Sequence, residues 1–254
     1  MNVYLRLVYR NLRANLDKGS IFFELIFPLF FFVQGYAVGG IVPSFDIGGG
    51  RIVSYALFLA AGAVTLTVIN GGTNAGTQLW FDRKNGMFEQ ILMGPFTRAQ
   101  YILSIILATL IIGVIGSLVV FALAIPIIGP SLAITPQGAL LVVGTLFLGT
   151  TIFGSFAIAL SVVLRSSESF QIVSSFAFFI FLFTSSVFFP ANKAPSVIQA
   201  ISYLTPLTYT TDIFRAGLFN AITPLVPFEL LALTAEALAT LAIAVVSFRR
   251  IRVS

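Results

Sequence analysis

Long apolar stretches separated by short polar ones form the main pattern of this 254-residue sequence. Six stretches approach or exceed the roughly 20 residues that a helix needs to cross about 30 Å of hydrocarbon. They cover approximately residues 21–42, 52–78, 101–128, 137–164, 169–189 and 227–248. The pattern predicts an all-α integral membrane protein with six transmembrane helices. With no internal repeat and no soluble domain evident, residues 1–254 are expected to form one transmembrane domain.

The N-terminal segment, residues 1–18, has a different periodicity. Its apolar residues recur at helical spacing on one face, and its charged residues recur on the other. The apolar face holds Leu5, Val8, Tyr9, Leu12 and Leu16, and the charged face holds Arg6, Arg10, Arg13 and Asp17. This segment is predicted to be an amphipathic helix that lies in the membrane interface.

The region 190–224 is apolar but interrupted by four prolines, so its pieces, about 196–204 and 207–220, are too short to cross a bilayer. We expect a re-entrant or surface helical hairpin on the outer side, covered by other protein. Pro206 and Tyr209 belong to its second helix. Asp212 and Arg215 are three residues apart on that helix and could form a salt bridge.

The positions of the basic residues predict the orientation. If the N-terminus is cytoplasmic, eleven basic residues lie inside and three outside. The inner set is Arg6, Arg10, Arg13, Lys18, Arg83, Lys84, Arg98, Arg165, Arg249, Arg250 and Arg252, and the outer set is Arg51, Lys193 and Arg215. Both termini are therefore expected in the cytoplasm.

Composition agrees with a membrane protein, because 58% of the residues are hydrophobic and only 9% are charged, against about 25% charged in soluble domains. The sequence contains no cysteine and no histidine. Disulfides, cysteine-ligated clusters and the usual histidine–carboxylate zinc sites are thereby excluded, as is histidine acid–base catalysis. The net charge of +5 is better explained by membrane topology than by nucleic-acid binding.

The longest predicted cytoplasmic connection covers residues 79–98 and contains a short amphipathic helix. Met87, Phe88, Ile91 and Leu92 form its apolar stripe, and Gly94-Pro95 ends it. Such a helix can rest on lipid headgroups or dock into a groove of a cytoplasmic partner.

This connection, "RKNGMFEQILMGPFTR" followed directly by a long span, resembles the membrane subunits of ABC-2 type exporters. The stretch Leu204-Thr205-Pro206-Leu207-Thr208-Tyr209, followed by Asp212 and Arg215, is similar to the family's stretch before the last span, although Thr205 replaces a frequent asparagine. The resemblance covers the whole chain.

The resemblance implies export of a hydrophobic or amphipathic substrate across the cell membrane, driven by ATP hydrolysis on a separate soluble subunit that binds ATP and magnesium. It also implies a second permease subunit, either another copy or a paralogue. The contact with the ATPase subunit would involve Arg83, Lys84, Asn85, Gly86, Met87, Phe88, Glu89, Ile91 and Leu92. None of the three lysines follows the glycine that a phosphate-binding P-loop requires, so the chain itself is expected to bind no nucleotide and to catalyse no reaction.

Four polar residues in the predicted spans, Asn70, Asn74, Gln78 and Glu236, are candidates for the translocation path or for helix contacts. Gly72 and Gly76 form a Gly-x-x-x-Gly pattern that permits close helix packing. Both interpretations remain open at this point. The alternative functions are a secondary carrier or channel that ATP does not drive and, with less support, a membrane-embedded enzyme.

Overall fold

A computed structural model describes residues 3–15, 18–42, 44–128, 132–164 and 166–249. The described residues are 81% helical, and they form eleven α-helices and one two-stranded antiparallel sheet. The first five helices are α1 (Val3–Asn15), α2 (Lys18–Gly39), α3 (Tyr55–Thr65), α4 (Thr67–Lys84) and α5 (Met87–Met93). The others are α6 (Arg98–Ile128), α7 (Pro136–Val163), α8 (Ser167–Thr184), α9 (Ser196–Ser202), α10 (Pro206–Phe219) and α11 (Val226–Arg249). Strands β1 (Ser44–Asp46) and β2 (Ile52–Ser54) lie between α2 and α3.

Five helical stretches among the described residues are long and apolar enough to cross a membrane. They are Tyr55–Lys84, Arg98–Pro126, Pro136–Val163, Ser167–Thr184 and Val226–Phe248. The prediction of an all-α membrane protein is thereby confirmed. The first predicted span corresponds to α2, which is 22 residues long and mostly apolar from Ile21 onward but is not one of these five stretches, so the count of six spans stays a prediction.

The second span differs from the sequence prediction at both ends. Its predicted first residues, 52–54, form β2 and pair with β1, because Gly48, Gly49 and Gly50 adopt positive φ angles of 102°, 62° and 74° and turn the chain back. At its other end, the helical stretch continues past the predicted end at residue 78 to Lys84, since residues 79–84 contain neither glycine nor proline. Residues 79–84 are therefore the end of α4 and not part of a loop.

Helix α7 is the centre of the bundle and packs against α4, α6, α10 and α11. Its contact with α4 is the closest. A Cβ atom built on Gly72 would lie 2.5 Å from the Phe153 Cβ, and one built on Gly76 would lie 2.5 Å from the Ala157 carbonyl oxygen. Gly72 and Gly76 therefore serve helix packing, as one of the two sequence interpretations proposed.

The predicted helical hairpin at 190–224 consists of α9 and α10, preceded by one 3-10 turn at Ala191–Lys193. Helix α10 is mostly buried and contacts α3, α7 and α11, and Asn220 ends it in the left-handed conformation with φ 51°. This part of the chain and the β-hairpin lie at one end of the bundle, which we call the hairpin end, whereas α1 and α5 lie at the other, the α5 end. The depth of α9 and α10 in the bilayer stays a prediction.

The orientation can be tested directly because the chain has no cysteine of its own. Cysteines introduced at positions 46 and 193 are expected to react with a membrane-impermeant maleimide added outside, whereas one at position 90 should react only after the membrane is opened, because of the eleven-to-three distribution of basic residues. Labelling of position 90 from outside would show that the orientation is the reverse of the predicted one.

Candidate coupling surface and transport path

Helix α5 follows α4 after a tight turn at Asn85-Gly86, in which Gly86 has a φ of 67°. Phe88 faces inward and is only 1% exposed. Its ring centroid lies 5.4 Å from that of Tyr101 on α6 and 5.4 Å from that of Phe248 on α11. Ile91 and Leu92 are partly buried against the same cluster. Three of the four residues of the predicted apolar stripe, Phe88, Ile91 and Leu92, thus hold α5 on its own bundle.

The outward face of α5 consists of other residues. Met87 is 40% exposed and Met93 is 80% exposed, and Gln90 lies exposed between them. Phe81, at the end of α4, is 46% exposed. We call these four exposed residues the coupling surface. Phe88 is buried and anchors α5 to the bundle, and its predicted contact with an ATPase subunit stays a prediction.

The charged residues near α5 have separate roles. Arg83 donates a hydrogen bond from Nη1 to the Ser161 carbonyl oxygen at 2.9 Å and so fastens the end of α4 to α7. The Lys84 ammonium lies 5.1 Å from the centroid of the Trp80 ring. Glu89 is half-buried, and its Oε2 has no hydrogen-bond partner among the described residues. Of the predicted polar contacts, Lys84 and Asn85 are exposed on this side.

Polar side chains of α1 meet buried polar side chains of α4 and α6, a feature that the sequence analysis missed. Arg10 forms a two-bond ion pair with Asp82, whose Oδ2 accepts from Nη1 at 2.6 Å and whose Oδ1 accepts from Nη2. This pairing raises the pKa of Arg10. Asn11 accepts from Gln78 Nε2 and donates to Ser104 Oγ, each at 2.8 Å. Asn11, an amide within the apolar face of an amphipathic helix, was the available signal.

Helix α1 accordingly packs on protein as well as facing outward. Leu7 and Val8 are 4% and 5% exposed, whereas Leu5 and Tyr9 are 51% and 60% exposed. The predicted apolar face is thus divided between the bundle and the surroundings.

The candidate residues for a transport path lie on two helices, α4 and α11, and differ in their hydrogen-bond partners. Gln78 is bonded to Asn11 and to Asn15, whose Nδ2 donates to its Oε1 at 2.5 Å, so it holds α1. Asn70 and Asn74 are half-buried and lie on the side of α4 away from Gly72 and α7. Within the described residues, Asn70 Nδ2 has no hydrogen-bond partner.

Glu236 lies on α11, which packs against α7 and α10. Its side chain is half-buried, and its Oε2 is buried with no hydrogen-bond partner among the described residues. Asn70, Asn74 and Gln78 are spaced i, i+4 and i+8 along one face of α4, whereas Glu236 lies on α11.

At the hairpin end, Arg215 is 2% exposed. Its guanidinium donates to the carbonyl oxygens of Phe58 (2.8 Å), Ser186 (2.7 Å) and Val187 (2.9 Å), and it stacks 3.4 Å from the Phe58 ring centroid. The ion pair with Asp212 that the spacing predicted is present at 3.6 Å. Burial lowers the pKa of Arg215 to about 9, so the group stays charged at neutral pH. Arg215 therefore joins α10 to α3 and to the chain after α8.

A cavity of about 210 Å³ opens beside this residue. Asp46, Asp212, Arg215 and Glu229 line it, together with apolar side chains from the start of α11. Tyr209 lies near this end, and its hydroxyl donates to the Tyr203 carbonyl oxygen at 2.5 Å. Pro206 occupies the first turn of α10, where a missing backbone N–H costs nothing.

A sequence model described as "ABC-2 type transporter" matches residues 4–219 of the chain. The chain belongs to the ABC-2 type transporter family. The match begins in α1 and ends at the last residue of α10, so α11 and Glu236 lie beyond the matched part.

Two relatives carry the name "Putative transport permease ycf38". The protein from Cyanophora paradoxa is 31% identical over 165 residues, which are 64% of this chain and 56% of the relative. The protein from Porphyra purpurea is 29% identical over 170 residues, which are 64% of this chain and 55% of the relative. The chain thus matches a little over half the length of these relatives.

Proposed function

We propose that this ABC-2 chain is the transmembrane subunit of an ATP-driven exporter in the cell membrane, and that a separate soluble ATPase subunit docks on the coupling surface. The observation that carries the proposal is α5 itself. It is too short to span a membrane, it is fixed to the bundle by Phe88, and it presents Met87, Gln90 and Met93 outward. A fixed helix with an exposed apolar face can pass a push from a partner into the bundle.

The sequence supports a partner for nucleotide binding, because it lacks the glycine-rich loop and lysine that cradle ATP phosphates. ATP and magnesium would therefore be bound by the other chain. A second permease subunit, identical or paralogous, would complete the transport path.

Asn70 and Asn74 are the residues of this chain best placed to line that path. They lie half-buried on a face of α4 that α7 does not cover.

Purification of the tagged permease from its own host in mild detergent tests the proposal. A P-loop ATPase should co-purify and hydrolyse MgATP. Transport of substrate by the purified chain without any ATPase would instead support a secondary carrier or channel.

The coupling surface makes a sharper prediction. Met87→Ala with Met93→Ala should weaken ATPase binding by about 2 kcal/mol, roughly 30-fold in Kd, because exposed apolar anchors dominate such contacts. The matched control is Leu204→Ala, which removes a side chain of similar exposure, 79% against 80% for Met93, at the hairpin end. Binding is measured by titrating the ATPase onto immobilised permease.

Phe88→Ala should behave differently from the methionine variants. It removes a buried ring and should destabilise the α5 end by about 3 kcal/mol, seen as a lower apparent melting temperature. If the double methionine variant bound the ATPase as tightly as the unmodified chain, the coupling surface would be assigned to the wrong residues.

A further inference from the structure

Asp82, two residues before the end of α4, is a buried carboxylate held by two other helices. It is 6% exposed. Arg10 of α1 pairs with both of its oxygens, and the Tyr101 hydroxyl of α6 donates to its Oδ2 at 2.8 Å. The Arg10 side chain is 30% exposed and that of Asp82 8%, so separation of the pair would leave a buried carboxylate without its counter-ion.

A second set of buried groups fixes α1 beside this ion pair. Asn11 is fully buried and is bonded to Gln78 of α4 and Ser104 of α6. A helix that merely rested on lipid would need apolar side chains and exposed charges. Helix α1 instead makes specific polar bonds to two helices of the bundle, so it is built to keep one position relative to them.

Tyr101 connects this arrangement to α5. Its hydroxyl is bonded to Asp82, and its ring lies 5.4 Å from the ring of Phe88, the anchor of α5. The same ring stacks on Phe248 of α11 at 5.8 Å. One side chain thus holds both the end of α4 and the coupling helix.

We propose that Arg10, Asp82 and Tyr101, which we call the latch, are positioning residues that make α1, the end of α4 and α5 move as one unit. The inference rests on the proposed function, because it assigns α1 a part in transmitting the displacement of α5 to the spans. While the bonds of the latch are intact, a displacement of α5 also displaces α4 and α6. Without these bonds, α5 can move on the turn at Gly86 without displacing the bundle.

Spin labels on the full-length chain test whether the latch positions α5. Ala14→Cys on α1 and Gln90→Cys on α5 are both exposed sites in a chain without cysteine. The distance between the labels should be narrowly distributed in the parent chain and clearly broader with Asp82→Asn. The charge swap Arg10→Asp with Asp82→Arg should restore the narrow distribution. Tyr101→Phe, which keeps the ring contacts and loses only the hydroxyl, should broaden it less.

A second label pair tests transmission. With the co-purified ATPase, MgATP and vanadate should shift the distance between labels at Ala14→Cys and Lys193→Cys, and Asp82→Asn should abolish the shift while the ATPase remains bound. Asp46→Asn at the hairpin end is the matched control and should keep the shift.

The two measurements separate the possible failures. If Asp82→Asn and Tyr101→Phe both left the Ala14–Gln90 distribution narrow, the latch would not position α5 and the inference would be overturned. If that distribution broadened but no ATPase co-purified with the parent chain, the proposed function would fail while the positioning role stood. If Asp82→Asn abolished the shift in the Ala14–Lys193 distance and the charge swap did not restore it, the latch would also be contradicted, because the swap rebuilds the ion pair.

Discussion

Replacing Arg215 with methionine is expected to destabilise the hairpin end by about 3–5 kcal/mol, because removal of one partner from a buried charged network leaves the others unsatisfied. The carbonyl oxygens of Phe58, Ser186 and Val187 would lose their donors, and Asp212 would lose its counter-ion. Methionine has a similar length, so the loss of packing is small compared with the loss of hydrogen bonds. The apparent melting temperature of the detergent-solubilised chain measures the effect.

Lys193→Met is the control for this substitution, since it removes a positive charge at the same end of the molecule. Lys193 is exposed, and its ammonium lies 5.3 Å from the Phe45 ring centroid. Its loss should change the melting temperature little, because exposed charges contribute little. Equal melting temperatures for Arg215→Met and the parent chain would contradict the role assigned to Arg215.

Gly72→Ala is expected to separate α4 from α7 and to cost about 2–3 kcal/mol, the usual penalty for overfilling a packed contact. The added Cβ would lie 2.5 Å from the Phe153 Cβ and 2.7 Å from the Gly154 backbone nitrogen. Neither neighbour is the free end of a side chain, so the two helices must shift. In a bilayer this contact is not replaced by hydrophobic attraction, because lipid is as apolar as the helices.

Gly144→Ala is the matched control on α7, since a Cβ built there has nothing within 4 Å. It should leave stability unchanged or raise it slightly, because alanine favours a helix more than glycine. Mild SDS denaturation compares the folded fractions of the two variants. If Gly72→Ala resisted SDS as well as Gly144→Ala, close packing would not explain the glycine.

Prediction from sequence succeeded where neighbouring residues alone determine the secondary structure. The length and polarity of the apolar stretches predicted the helices from α6 to α8 and α11, because a helix in hydrocarbon must satisfy its backbone groups within itself. The prolines of region 190–224 predicted two short helices, and Gly94 ends α5 as predicted. The strand pairing of residues 52–54 was not predicted, because three glycines with positive φ allow a turn that residue composition alone does not require.

The same pattern could not say which side chains face a partner. Met87, Phe88, Ile91 and Leu92 form one stripe in the sequence, and helical spacing treats them alike. The structure divides them, since Phe88 fits between Tyr101 and Phe248 while Met87 remains exposed. The sequence likewise groups Gln78 with Asn70 and Asn74 as a candidate for the transport path. Its hydrogen-bond partners Asn11 and Asn15 are more than sixty residues away in the chain.

By itself, the sequence determined the class of the protein: a helical membrane chain, with a short amphipathic helix between its second and third predicted spans and a broken helical region before the last. These features depend on neighbouring residues and on the solvent that surrounds them. Only the tertiary structure decided that Arg10 pairs with Asp82, that Arg215 serves the backbone of α3, and that Phe88 is an anchor. Such pairings join residues distant in sequence, and they form only where packing removes water and leaves the polar groups one another as partners.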